Sequence, residues 1–305
     1  MFEMMLGIIG GEPARIPIPN NIDIGIYNGM TYPADNPGEV YIVGGISRAL
    51  AAVRKVWLYK AANNTYTELG TIPGTMSPHF QTSIGRVGDN LYLMSSPDIN
   101  ILNLTTKVWT ARTQPAYGTI YNFYGNAAIT YNGYMYFFGP STSPPGIILK
   151  RYDHVNNTWS TESTFLTTTN SGIYSKGVMV GNTAYFFGAL TYSDKVIKYN
   201  FMSKAWTTIT MPRQCNNNPG LAVWGNKILV TNIGLPGQVP GAAAFDGSVV
   251  AVYDTTTDTI TDTYPISPPK LVTVITLLDD KLYLYGGQNK ATSQPVPDVY
   301  IVKLV

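Results

Sequence analysis

Side chains able to do acid–base, nucleophilic or metal chemistry are few and scattered in this chain of 305 residues. There are two histidines, His79 and His154, and a single cysteine, Cys215. A histidine-rich metal site needs converging imidazoles with hydrogen-bonded support, which two isolated residues cannot supply alone. One cysteine forms neither an intrachain disulfide nor a thiolate cluster. Asp279-Asp280 is an adjacent carboxylate pair, but glycoside-cleaving carboxylates stand apart across a substrate, and two Asp before an apolar run read as a turn. Gly10-Gly11 lacks the Lys-Ser/Thr that completes a phosphate-cradling loop. The expectation is a non-enzyme with no catalytic residue, no metal and no cofactor.

Binding residues remain, and their placement depends on the elements that carry them. An apolar strand returns six times, centred on Tyr41, Tyr92, Tyr136, Tyr185, Ile228 and Tyr283. The repeat is about 50 residues long, the range of propeller blades with four short strands each. Continuous apolar runs such as Tyr136-Phe137-Phe138 and Tyr185-Phe186-Phe187 fit strands buried on both faces. Most runs follow a turn pair: Asp89-Asn90, Asn132-Gly133, Gly181-Asn182, Gly225-Asn226 or Asp279-Asp280. These residues tolerate the positive φ of tight hairpins. A second hairpin follows in five units, its strands marked by Tyr59 and Tyr66, Leu102 and Trp109, Tyr152 and Trp159, Tyr199 and Trp206, Tyr253 and Ile260. One loop length in all five fixes one register. The fold class is all-β: a six-bladed propeller.

The paired glycines after the aromatic strand, followed by a Tyr-Asp-type hairpin ending in Trp, resemble kelch repeats over about residues 39–305. Only the first and last units keep both glycines, Gly44-Gly45 and Gly286-Gly287, and unit five lacks the aromatic, the glycines and the tryptophan. The resemblance implies a kelch-type propeller whose last blade is closed by an N-terminal strand. That fits the sixth unit, whose third strand, 298–302, leaves too little chain for a fourth. The closing strand is Arg15–Ile18 or Met4–Ile9, with the prolines at 17 and 19 favouring the former as an edge strand. The expected domains are a docking or capping segment at 1–14, with Phe2, Met5, Leu6, Ile8 and Ile9 as docking side chains, and a propeller at 15–305. Sialidase-type Asp boxes and their arginine cluster are missing.

Loop length separates the two ends of such a propeller. Tight hairpins gather at one end, while the other carries the loops between second and third strands, expected at 46–55, 97–98, 140–146, 189–195, 233–248 and 288–298. Blades five, six and one carry the longest, and long loops on rigid scaffolds are where binding residues concentrate. The candidate contacts are Arg48, Arg54, Lys55, Gln238, Phe245, Asp246, Gln288, Asn289, Lys290 and Gln294, with Tyr117, Tyr121 and Tyr124 as an aromatic second set able to stack on sugars. The alternative is that these loops cap the axial channel or pack on a neighbour.

Charged residues make up 12% of the chain, its net charge is +2, and polarity comes from Thr, Asn, Ser and Tyr. Without a basic stripe nucleic acid is not an expected partner. The apolar start lacks a basic leader and is too short to span a bilayer, so neither a signal peptide nor membrane insertion is expected. These features point to a structural and interaction module of an extracellular assembly. The form envisaged is a bacteriophage virion or tail protein that docks on a neighbouring structural protein and meets a host-surface glycan or protein. The alternatives are a sugar-active kelch enzyme, mutarotase- or lyase-like, with Arg, Glu or His converging on the channel, and a stand-alone kelch adaptor.

Overall fold

The computed structural model describes residues 14–20, 22, 30–45, 47, 51–74, 83–94, 98–113, 127–142, 145–166, 175–188, 194–215, 219–234, 249–266, 270–271, 274–289, 292, 294 and 296–304. Among them every regular element is a strand. Six four-stranded antiparallel sheets form the blades. Their first strands are Met30–Pro33, Ser83–Val87, Ala127–Tyr131, Lys176–Val180, Leu221–Trp224 and Val274–Leu278. Each of these touches the first strand of the next blade, and the sixth touches the first, so they form the inner wall of a closed ring.

Six hydrophobic clusters lie one at each blade interface. Tyr41, Val43 and Val56 of blade one meet Leu91, Leu93 and Leu102 of blade two. Phe138 and Leu149 of blade three meet Phe186 and Tyr199 of blade four, and Phe138 and Phe186 stack 4.0 Å apart. Alternate residues of one strand serve opposite interfaces: Val40 and Ile42 pack toward blade six, while Tyr41 and Val43 pack toward blade two. Burial on both faces is why the strands read as continuous apolar runs rather than alternating ones. Where blades approach closest a side chain does not fit. A Cβ at Gly85 would stand 2.7 Å from Met135 Sδ, and one at Gly220 would stand 2.9 Å from Thr231 Oγ1 and 3.0 Å from Ile275.

Ring closure follows the sequence expectation. Ala14–Pro17 is the outermost strand of blade six and pairs with Asp298–Lys303, Arg15 opposite Tyr300. The Ile18 amide extends the pairing to the Pro297 carbonyl at 2.9 Å. Pro17 lies at the strand end, where a missing N–H interrupts no ladder. The alternative closing stretch Met4–Ile9 lies outside the described residues.

Register corrects two expectations. In unit five Leu229, not Ile228, occupies the position of the blade tyrosines, because Ala222 faces Leu229 as Val178 faces Tyr185. Ile228 instead faces Tyr253, as Ala184 faces Tyr199. In blade three the expected loop at 140–146 is mostly strand. Pairing runs from Gly139 opposite Ile148 to Thr142 opposite Pro145, leaving only 143–144 between the strands. Pro145 opens its strand, a terminal position that needs no N–H for the ladder.

The five outer hairpins share one conformation. The seven-residue pairs face each other as expected, from Tyr59 opposite Tyr66 to Tyr253 opposite Ile260. The positive-φ residue falls at the same place in each: Asn64, Lys107, Asn157, Lys204 and Asp258. In four of them an Asx side chain opens the turn by accepting from the next backbone amides: Asn103 from Thr105 and Thr106, Asp153 from Val155 and Asn156, Asn200 from Met202 and Ser203, Asp254 from Thr256 and Thr257. Tyr152 and Tyr253 then donate their hydroxyls to the positive-φ residues, Asn157 at 2.6 Å and Asp258 at 2.8 Å.

Candidate functional site

Blades six and one are neighbours at the loop-bearing end, and the two glycine pairs build the same turn there. All four glycines have positive φ: Gly44 64°, Gly45 94°, Gly286 58° and Gly287 111°. The first amide of each pair donates to the start of the third strand, Gly44 to Lys55 and Gly286 to Asp298, both at 3.0 Å. The carbonyl of the second glycine accepts from the returning loop, Gly45 from Val53 at 2.9 Å and Gly287 from Val296 at 2.8 Å. A side chain at these φ values is strained, so the glycines are required by the turn.

Of the candidate contacts, Arg54, Lys55, Gln288, Asn289 and Gln294 lie within the described residues; Arg48, Gln238, Phe245, Asp246 and Lys290 lie outside them, as do Tyr117, Tyr121, Tyr124 and the docking residues 2–9. Arg54 Nη2 donates to the Ile72 carbonyl at 2.7 Å, while Ile72 donates its amide back to Arg54 O at 2.8 Å. Lys55 pairs with Glu68 at 2.8 Å and sits 5.5 Å from the Trp57 ring centroid. Both cations are thus held along the outer half of blade one. Gln288 and Asn289 form a two-residue strand against Lys270–Leu271 of the connection from blade five. Asn289 accepts from the Thr292 amide at 3.1 Å and donates its own amide to Gln294 O at 2.9 Å. Blade six therefore presents a small ordered platform at the loop end.

The sequence placed a site at the axial channel only under the sugar-active alternative. It is a cavity of about 420 Å³ lined by the inner strands of blades one, three, four, five and six. Blade two is screened from it by Tyr32. That side chain reaches past blade two to blade three, where its hydroxyl donates to Thr130 Oγ1 at 2.7 Å; Thr130 donates in turn to Arg86 O at 2.8 Å. Gly85 occupies the same layer as Tyr32, opposite Tyr92 as Tyr32 is opposite Tyr41, and leaves the space for this crossing. Burial raises the Tyr32 phenol above its ordinary range.

The lumen walls include Ile129, Val178, Leu221, Val223 and Ile275, with threonines at 31, 130 and 276. Two ionisable groups stand at opposite ends. Glu39, at the hairpin end, is held by Lys60 at 2.8 Å and accepts from Asn36 at 3.1 Å. Lys176 heads the inner strand of blade four at the loop end, its ammonium with no hydrogen bond or ion pair to any described residue. It is half-buried and lines the lumen, and desolvation pushes its ammonium down to about 8. The other units carry Met30, Ser83, Ala127, Gly220 and Val274 at this position. Aligning units on their inner hairpins, rather than on the aromatic strand, is the signal that isolates Lys176.

The remaining chemistry candidates are structural where they are described. His154 lies in the outer hairpin of blade three, its ring 6.0 Å from that of Tyr92. Asp279 and Asp280 have φ of 48° and 54°, the tight turn expected, and Asp280 accepts from Trp224 Nε1 at 2.9 Å. Cys215 is fully buried, its thiol pushed far above the ordinary range by desolvation. Among the described residues no three His, Cys, Asp or Glu side chains converge as metal ligands, and no helix is long and apolar enough to cross a membrane.

No protein-family model and no curated protein matches this sequence. The fold is shared by solved structures, among them that of YjhT, which superposes with a TM-score of 0.67 over 95% of each chain at 13% sequence identity. At that identity the likeness is one of fold: the chain is a six-bladed β-propeller.

Proposed function

We propose that this protein is a non-enzymatic recognition and structural module of an extracellular assembly, of the kind found in bacteriophage virions and tails. In this reading it turns the loop-bearing end of the propeller toward a glycan or protein on a host surface. The observation that carries the reading is how the polar side chains are used. Six ion pairs join charges on the blades, Lys55–Glu68, Lys60–Glu39, Arg86–Asp35, Lys195–Asp194, Lys198–Asp258 and Lys204–Glu162, while the lumen walls are mainly apolar. Low charge with abundant Thr, Asn and Tyr agrees with a particle surface. The test is cross-linking mass spectrometry on native particles. The expected result is links from residues 1–14 to another structural protein, with Lys55 and Lys290 free of intraparticle links. Purified particles lacking the chain would remove the reading.

A sugar-active enzyme is the second reading, favoured by Lys176, an amine in the lumen with a depressed pKa suited to base chemistry. Turnover of a soluble sugar, lost in Lys176→Met, would put it first.

A further inference from the structure

We propose that the axial channel is a binding site for a small organic monocarboxylate with an apolar body, its carboxylate seated on Lys176 and its body on the inner strands. The proposal is independent of what the loop end meets. A lumen of about 420 Å³ lies within the size range of small-molecule sites and is lined as they are, by apolar walls with few polar groups. The walls come from inner strands bonded into four-stranded blades, so the site is preformed.

The ligand class follows from the lining. Lys176 offers three N–H donors and one positive charge in a place where no described side chain answers them. A buried charge is tolerated when paired, so an anion arriving there relieves a cost already present in the empty protein. One unmatched ammonium balances one negative charge, which favours a carboxylate over a phosphate dianion. The walls argue against a polyol. Ile129, Val178, Leu221 and Ile275 offer no hydrogen bonds to hydroxyls, and of the wall threonines Thr130 is already engaged with Tyr32 and Arg86, which leaves Thr31 and Thr276, too few to match a polyol's hydroxyls. An aliphatic or aromatic chain fits that surface.

Affinity then depends on the protonation of Lys176. Desolvation alone shifts this amine. The strands packed against it, Ala127–Tyr131, Leu221–Trp224 and Thr183–Phe187, bring no charged side chain to it, and Glu39 and Tyr32 lie further down the lumen. A carboxylate binds the ammonium, so affinity should hold below pH 8 and fall by up to about tenfold per unit as pH rises from there toward the higher pKa of the bound complex.

Hexanoate is the probe, titrated into the full-length protein by ligand-observed NMR, with hexanamide, inorganic phosphate and glucose as comparisons. Hexanoate should bind at millimolar concentration with one site per chain, and at least tenfold more tightly than hexanamide. Lys176→Met, which keeps the chain length and removes the charge, should lose at least tenfold in hexanoate affinity while unfolding no earlier than the native protein. The Lys176 amine, followed by NMR after isotopic methylation, should titrate at higher pH with hexanoate bound. No hexanoate binding, equal binding to Lys176→Met, an unmoved Lys176 titration, or tighter binding of phosphate or glucose would each overturn the proposal.

Discussion

At one end of the propeller the outer hairpins of blades one to five share a length, a positive-φ position and, in four cases, an Asx side chain that opens the turn. At the other end the segments joining second to third strands differ in every blade. Only residues 143–144 separate the strands of blade three, whereas 234–248 separate those of blade five. Both ends are anchored in the same blade interfaces, so the scaffold does not cause the difference. A turn that only joins strands has one best solution, and five units have reached it. A loop that meets something else is shaped by its partner, and the described parts of the loops of blades one and six share their glycine turns and one further backbone bond, Ser47 to the Ala51 carbonyl and Asn289 to the Gln294 carbonyl. Stability should therefore respond to changes in the common interfaces and hairpins, and recognition to changes at the loop end.

Removing packing common to both ends should have the largest effect. Phe186 is 1% exposed and stacks on Phe138 between blades three and four. Phe186→Ala should cost about 3–5 kcal/mol through lost burial and a residual cavity. Urea denaturation should show this as a lower midpoint with an unchanged slope.

Next comes the loop-end turn. Gly287 has φ of 111°, where a β-branched side chain is strained. Gly287→Val should cost about 1–3 kcal/mol and also displace the Asn289–Gln294 platform. Fragment or partner binding at this end should weaken more than the stability loss explains. A variant that binds normally would detach this platform from recognition.

Lys176 gives an effect of opposite sign. Its folded-state pKa lies below the unfolded value of 10.5, so the unfolded chain binds the extra proton between about pH 8 and 10.5. The penalty is fully present below pH 8 and disappears as pH rises through that window. At pH 7 Lys176→Met should be more stable than the native protein by about 1–2 kcal/mol, allowing for the amine's exposure to the lumen. The gap should close toward pH 10. Comparing the two proteins also cancels the raised tyrosines, such as Tyr32 and Tyr92, which lower stability as pH rises above 10. A gap independent of pH would assign the gain to packing.

Most of the fold was legible because its determinants are local and repeated. Turn pairs such as Asn132-Gly133 announce positive φ, and constant hairpin length fixes a register that recurs five times. The position of Leu229 was misread because unit five has no aromatic to mark the strand, and only its Gly225-Asn226 turn keeps count. The site was less legible. Whether Arg54 reaches outward or back to the Ile72 carbonyl depends on where its blade folds over, which no local pattern states. Lys176 is ordinary as a sequence letter, stands out only when the units are aligned on their inner hairpins, and gains its meaning where the inner strands of five blades line a lumen.

The smallest effect concerns Lys55 and Glu68. Their side chains are 33% and 38% exposed, and the pair bridges the third and fourth strands of blade one near the loop end. An exposed pair contributes roughly 0–1 kcal/mol, less at high salt. Glu68→Gln should therefore barely move the denaturation midpoint, although it releases a lysine otherwise held over Trp57. Loop-end capture of an acidic glycan or protein surface should tighten when Lys55 is released, and Lys55→Ala should weaken it. The release at the hairpin end is Glu162→Gln, which frees Lys204 from a pair whose carboxylate is 11% exposed and also accepts from the Tyr199 hydroxyl at 3.1 Å, and it should leave capture unchanged. Equal responses from both ends would mean that net charge, rather than the loop end, governs recognition.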